Sequence, residues 1–101
     1  MSFRVIHDSE ATLEFQEAVA WYESQEKGLG VRFTLDVNAV MAAIASRPLR
    51  FPKVGRKSRK ARVQGWPHSV YFVIDEDHLE IRITAVWHGA RNPAELRRRL
   101  T

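Results

Sequence analysis

Cysteine is absent from the 101 residues. That excludes a disulfide framework, a zinc–thiolate site and a cysteine nucleophile. Glycine and proline are scarce, five and four, which excludes a collagen-like or low-complexity chain. No apolar run approaches the roughly 18 residues that a membrane-spanning helix needs. The opening MSFRVIHDSE carries an acid by position 8 and no apolar h-region, so no signal peptide is expected. What is present suits a globule: 45% of the residues are hydrophobic and 28% charged. Length and composition predict one domain over residues 1–101, soluble and cytoplasmic. A chain this short has a small stability margin, which favours a stabilising partner.

A further absence is local. Between Asp36 and Asp75 there is no acid, while eight cations fall in that gap: Arg47, Arg50, Lys53, Arg56, Lys57, Arg59, Lys60 and Arg62. Residues 1–36 carry seven acids and three bases; residues 37–101 carry thirteen bases and five acids. Arg97, Arg98 and Arg99 extend the basic half to the end of the chain. Such a surface fits a polyanion or an acidic protein. Charge alone does not distinguish RNA, DNA and an acidic polypeptide.

The apolar periodicity predicts the elements. Phe3 to Ile6 reads as a strand, with Asp8 and Ser9 as caps for a helix. Ala11, Phe15, Ala18 and Tyr22 recur at helical spacing, and Gly28 and Gly30 suit the turn that ends that helix. Phe33, Val37, Val40, Met41 and Ile44 mark a second helix that stops before Pro48. The two form a helical hairpin, roughly 9–27 and 29–47. Residues 47–58 read as a basic loop. Arg59–Gln64, Val70–Ile74 and Leu79–Trp87 read as strands. Asn92 and Pro93 open a short helix carrying Leu96 and Leu100. The class is α+β: an N-terminal strand, a helical hairpin, a three-stranded antiparallel meander and a short C-terminal helix. Trp21 and Trp87 are expected in the core, and Trp66 partly exposed.

Several segments then show a resemblance: AVAWY at 18–22, Val31–Ile44 followed by Pro48, WPHSVYFV at 66–73, and ITAVWHGARNP at 83–93, with His88, Arg91 and Pro93 at its end. In order and spacing the chain resembles the RelE/ParE superfamily of toxins from type II toxin–antitoxin systems, associated with growth inhibition and plasmid stabilization. The resemblance implies a small sheet backed by a helical hairpin and a cognate antitoxin that wraps the toxin. It implies one of two activities: metal-free cleavage of mRNA on the ribosome, or action on DNA gyrase.

Metal-free RNA cleavage needs proton transfer and cations for the phosphorane. His88 suits the first; Arg62, Arg82 and Arg91 suit the second. Arg82 and His88 lie six residues apart, which predicts one strand face for both. No Tyr or His follows His88, and that departure from the ribosome-dependent members favours the ParE-like branch. The expected function is therefore a toxin that docks on a large target such as gyrase, with the metal-independent endoribonuclease as the alternative and enzymatic activity left open. Arg50, Lys53, Lys57, Arg59, Lys60 and Arg97–Arg99 are the candidate residues for binding target or antitoxin. No metal spacing, cofactor motif or membrane partner is expected. A homodimer or a hetero-oligomer with the antitoxin is compatible with all of this.

Overall fold

The computed structural model describes residues 3–101; the first two positions of the expected domain lie outside them. Strand β1 (Arg4–His7) leads into helix α1 (Ser9–Gln25) and helix α2 (Leu29–Ser46). A single 3-10 turn at Pro48–Arg50 opens the basic loop. Strands β2 (Arg59–Arg62), β3 (His68–Asp75) and β4 (Glu80–His88) follow, and α3 (Pro93–Arg99) ends the fold. The α+β order and the helical hairpin are as the periodicity predicts, with both helices ending one or two residues early.

Each helix has a local reason to stop. Gly28 sits at φ 89°, a left-handed conformation that glycine adopts without the Cβ penalty, so the chain reverses in a few residues. Gly30 is not a turn residue, as the sequence reading had it, but lies in the first turn of α2. A Cβ there would meet the Val19 carbonyl oxygen at 2.8 Å. Its role is close approach of α2 to α1. By length and mean hydropathy alone, 18 residues and 1.3, α2 could cross a membrane. Here its stripe of Phe33, Val37 and Ile44 is fully buried against Val70, Phe72, Ile81 and Ile83 of the sheet. Burial of each such side chain is worth about 2 kcal/mol.

The strand order is β1-β4-β3-β2. β2, β3 and β4 form the antiparallel meander, and β1 joins β4 in parallel, Arg4 opposite Glu80 through His7 opposite Ile83. The hairpin covers one face. The other face is not wholly open, because α3 covers part of it. Tyr71, Ala85 and Trp87 form a second core there with Leu96, and Leu100 packs against it.

The pairing of β3 with β4 is not uniform. Tyr71 faces Ala85, yet Phe72 faces Ile83, so Thr84 is an extra residue in β4. A bulge of this kind interrupts the strict in–out alternation of a strand. Before it, Ile81 and Ile83 point to the helices and Arg82 points away; after it, Ala85 and Trp87 belong to the far face. Trp87 is buried as expected. Trp21 is not: it is 59% exposed, because it falls on the flank of α1 rather than under the hairpin.

Candidate functional site

The bulge corrects the expected catalytic cluster. His88 pairs with His68 on the helix side of the sheet, while Arg82 pairs with Val73 on the far side. The two therefore face opposite ways. Arg82 instead meets the Asp8 carboxylate, 3.5 Å from its Nε. Arg62 lies opposite Ser69 on the edge strand β2, also on the far face. The four residues His88, Arg91, Arg82 and Arg62 do not converge on one phosphate-sized point.

β4 continues five residues beyond its pairing with β1, over Thr84–His88. Where a neighbouring strand would sit, two side chains act in its place. Glu14 Oε1 accepts the Val86 N–H at 3.0 Å, and Arg99 Nη2 donates to the Thr84 carbonyl at 2.5 Å. The Glu14 carboxylate also accepts from Arg91 Nη1 at 2.9 Å and Arg99 Nη1 at 2.6 Å. The Arg91 guanidinium carbon lies over Trp87, 3.7 Å from the ring centroid. Hydrogen bonding to Glu14 raises the Arg99 pKa above its ordinary value. Buried carboxylates persist only where such donors offset lost hydration. Arg91 and Arg99, two of the proposed functional arginines, are thus the clasp that ties α3 to α1 and β4.

His88 shapes the turn that follows. Its Nδ1 accepts the Ala90 N–H at 2.9 Å, so a neutral ring carries its proton on Nε2. Its ring stands perpendicular to that of His68, with centroids 5.0 Å apart. His68 is 5% exposed and packs on Tyr22 and Phe33. Its Nδ1 is buried and without a hydrogen-bond partner. Burial first, and the neighbouring His88 second, lower its pKa to about 4.

Two grooves flank these residues. One, of about 560 Å³, runs between α1 and the unpaired end of β4; Glu10, Leu13, Glu17 and Trp21 form one wall, and His68 and His88 lie at its base. The other, of about 1100 Å³, lies on the far face of the sheet beside the basic loop, with Arg56, Lys57, Arg82 and Arg97 around Val73 and Leu100, and with Asp75, Glu76, Asp77 and Glu80 of the β3–β4 turn also on its lining. The candidate binding residues divide accordingly. Lys57 and Arg97 border the larger groove, and Lys60 reaches over Tyr71 on the same face, 6.0 Å from its ring. Arg50, Lys53 and Arg98 are exposed around the loop and α3. Arg59 is committed locally: its Nη1 donates to the Phe51 carbonyl at 2.6 Å. The loop itself is pinned by the Lys57 and Ser58 N–H groups, each 2.6 Å from the Thr101 carbonyl oxygen.

Glu14 and His68 were missed from the sequence. Glu10, Glu14 and Glu17 at spacings of four and three do announce a charged helix flank. That this flank meets the C-terminal arginines depends on tertiary contact. The His68–His88 pairing depends on the bulge, since an unbroken register would set His68 opposite Trp87. Among the described residues no group of three or more potential ligands could hold a metal ion.

Solved structures share this architecture. A chromosomal ParDE toxin–antitoxin system from P. aeruginosa aligns with a TM-score of 0.72 at 14% identity, over 86% of this chain and 96% of that one. The toxin–antitoxin complex RelBE2 from Mycobacterium tuberculosis aligns at 0.63 and 18% identity, over 87% and 99%. A doubly substituted E. coli RelE toxin in its free state aligns at 0.68 and 8% identity, over 98% and 94%. No curated protein matches by sequence. The fold is therefore that of the RelE/ParE toxins. The model of the ParE toxin of type II toxin–antitoxin systems, parDE, matches residues 5–93. The chain belongs to the ParE toxin family.

Proposed function

We propose that this ParE-family toxin inhibits growth by docking on a large cytoplasmic target such as DNA gyrase, and that a cognate antitoxin neutralises it. One observation carries the choice of docking over cleavage. His88, at the end of β4, is separated from Arg82 and Arg62 by the sheet itself, and Arg91, three residues further on, is held by Glu14 and lies over Trp87. Phosphoryl-transfer chemistry needs acid, base and cations around one phosphorus atom. The alternative, a metal-independent mRNA endoribonuclease, has less support for that reason.

The uncommitted cations favour docking. Arg56, Lys57, Lys60, Arg62, Arg97 and Arg98 form no ion pair among the described residues. Arg56, Lys57 and Arg97 border one side of the larger groove, whose floor is partly apolar, Lys60 and Arg62 lie on the same face of the sheet, and Arg98 is exposed on α3. An acidic, amphipathic antitoxin segment matches that chemistry, and its charges would act chiefly on association rate.

Induction in a heterologous bacterium separates the two activities. A DNA-damage response with intact mRNA is expected, and His88→Ala should leave toxicity within about twofold. Metal-free cleavage of mRNA in the presence of EDTA, lost by about 10²-fold or more in His88→Ala, would instead establish the nuclease.

A further inference from the structure

The smaller groove has an acidic wall, in contrast to the basic loop. Its α1 wall carries Glu10 and Glu17. Glu17 has no ion pair among the described residues, and the Glu10 side chain is 72% exposed with a single contact to Arg99, at 3.6 Å. On the same flank stand Leu13 and Trp21, 55% and 59% exposed. Two large apolar side chains left this open on one helix flank, beside the unpaired Glu17 carboxylate, make a surface patch of the kind that binds partners. The base of the groove adds His68, held neutral by burial.

The cations near the groove do not neutralise it. Arg91 and Arg99 point their guanidinium groups at the Glu14 carboxylate, and Arg91 is also stacked on Trp87. An incoming cation would therefore find the unpaired carboxylate of Glu17, the largely exposed carboxylate of Glu10, whose one ion-pair contact is to Arg99, and the Trp21 indole, which attracts Lys or Arg through its quadrupole. At about 560 Å³ the groove has room for one long side chain and an apolar neighbour of a docked segment.

We propose that this groove docks a second partner, a polypeptide that inserts an Arg or Lys side chain flanked by apolar residues. The site lies on the opposite side of the sheet from the larger groove and the basic loop, so a partner there and a cationic partner here can be held together. This assignment does not depend on the identity of the target.

The probe is a 14-residue Leu/Lys amphipathic peptide, with a Leu/Glu peptide of the same pattern as control, added to the full ¹⁵N-labelled chain. The expected result is a shift of the Trp21 indole and of the amides of residues 13–21 and 86–90 with the Leu/Lys peptide alone. Affinity should fall about tenfold in Glu10→Gln/Glu17→Gln and in Trp21→Ala. These positions are exposed, and an unchanged amide spectrum elsewhere confirms that the variants fold. Shifts centred on other residues, equal binding of the two peptides, or undiminished affinity in both variants would overturn the proposal. So would concentration-dependent shifts of the same residues without peptide, which would make a second copy of this chain the occupant.

Discussion

His68 and His88 face each other across neighbouring strands, ring centroids 5.0 Å apart, and only one of them reaches the surface. His88 Nδ1 accepts the Ala90 N–H; His68 Nδ1 is buried with no hydrogen-bond partner.

That asymmetry predicts a pH dependence of stability. The His68 pKa falls from 6.5 to about 4 on folding, so the unfolded chain takes up a proton where the folded chain does not. Stability from this group is intact above pH 6.5 and is lost as pH falls toward 4, by about 3 kcal/mol in all. Urea unfolding between pH 7 and 4 should show this loss in the wild type and a correspondingly smaller one in His68→Phe. Parallel losses in the two proteins would assign the effect to another group.

Glu14→Ala should cost about 3 kcal/mol, although Glu14 lies on a helix flank. The substitution leaves the half-buried Arg99 without its carboxylate and the Val86 N–H without an acceptor. Chemical denaturation gives the energy. Hydrogen exchange gives the location: the Val86 amide should lose protection before the β3–β4 core does.

Gly30→Ala should destabilise by about 1–3 kcal/mol, against the usual gain from alanine in a helix, because the new methyl would press on the Val19 carbonyl. A variant melting at or above the wild-type temperature would show that the helices can separate at no cost.

Phe33→Asp is expected to abolish cooperative unfolding or to lower stability by several kcal/mol. Phe33 is fully buried and touches the rings of Phe15, Tyr22, Trp66 and His68, leaving no partner for a charge. A cooperative thermal melt near the wild-type temperature would remove it from the core.

The sequence reading reached the fold because the fold rests on repeated signals. Phe33, Val37 and Ile44 recur at helical spacing, Asn92 caps α3 by accepting the Ala94 N–H at 2.9 Å, and Pro48 ends α2. The site was less legible because one residue altered its geometry. Thr84 has no unusual composition that marks it as a bulge, yet it moves His88 to the face opposite Arg82. Parity arguments along a strand fail wherever such a residue intervenes. Trp21 misled for a related reason: tryptophan is usually assigned to a core, and the arc of α1 that the hairpin buries is narrower than the arc on which apolar residues occur. Glu14 was not legible as a clasp residue, since nothing local ties position 14 to positions 86 and 99.

The substitution of side chains for a strand along Thr84–His88 has a consequence for the solubility of the protein. An open strand edge is a template for another chain, and here the template is blocked by two removable groups, Glu14 and Arg99. Losing either one uncovers hydrogen-bonding positions in a stretch, TAVWH, that is apolar and rich in β-formers. Variants at those two positions would then fail less by unfolding than by edge-to-edge polymerisation, at concentrations where the wild type stays dispersed.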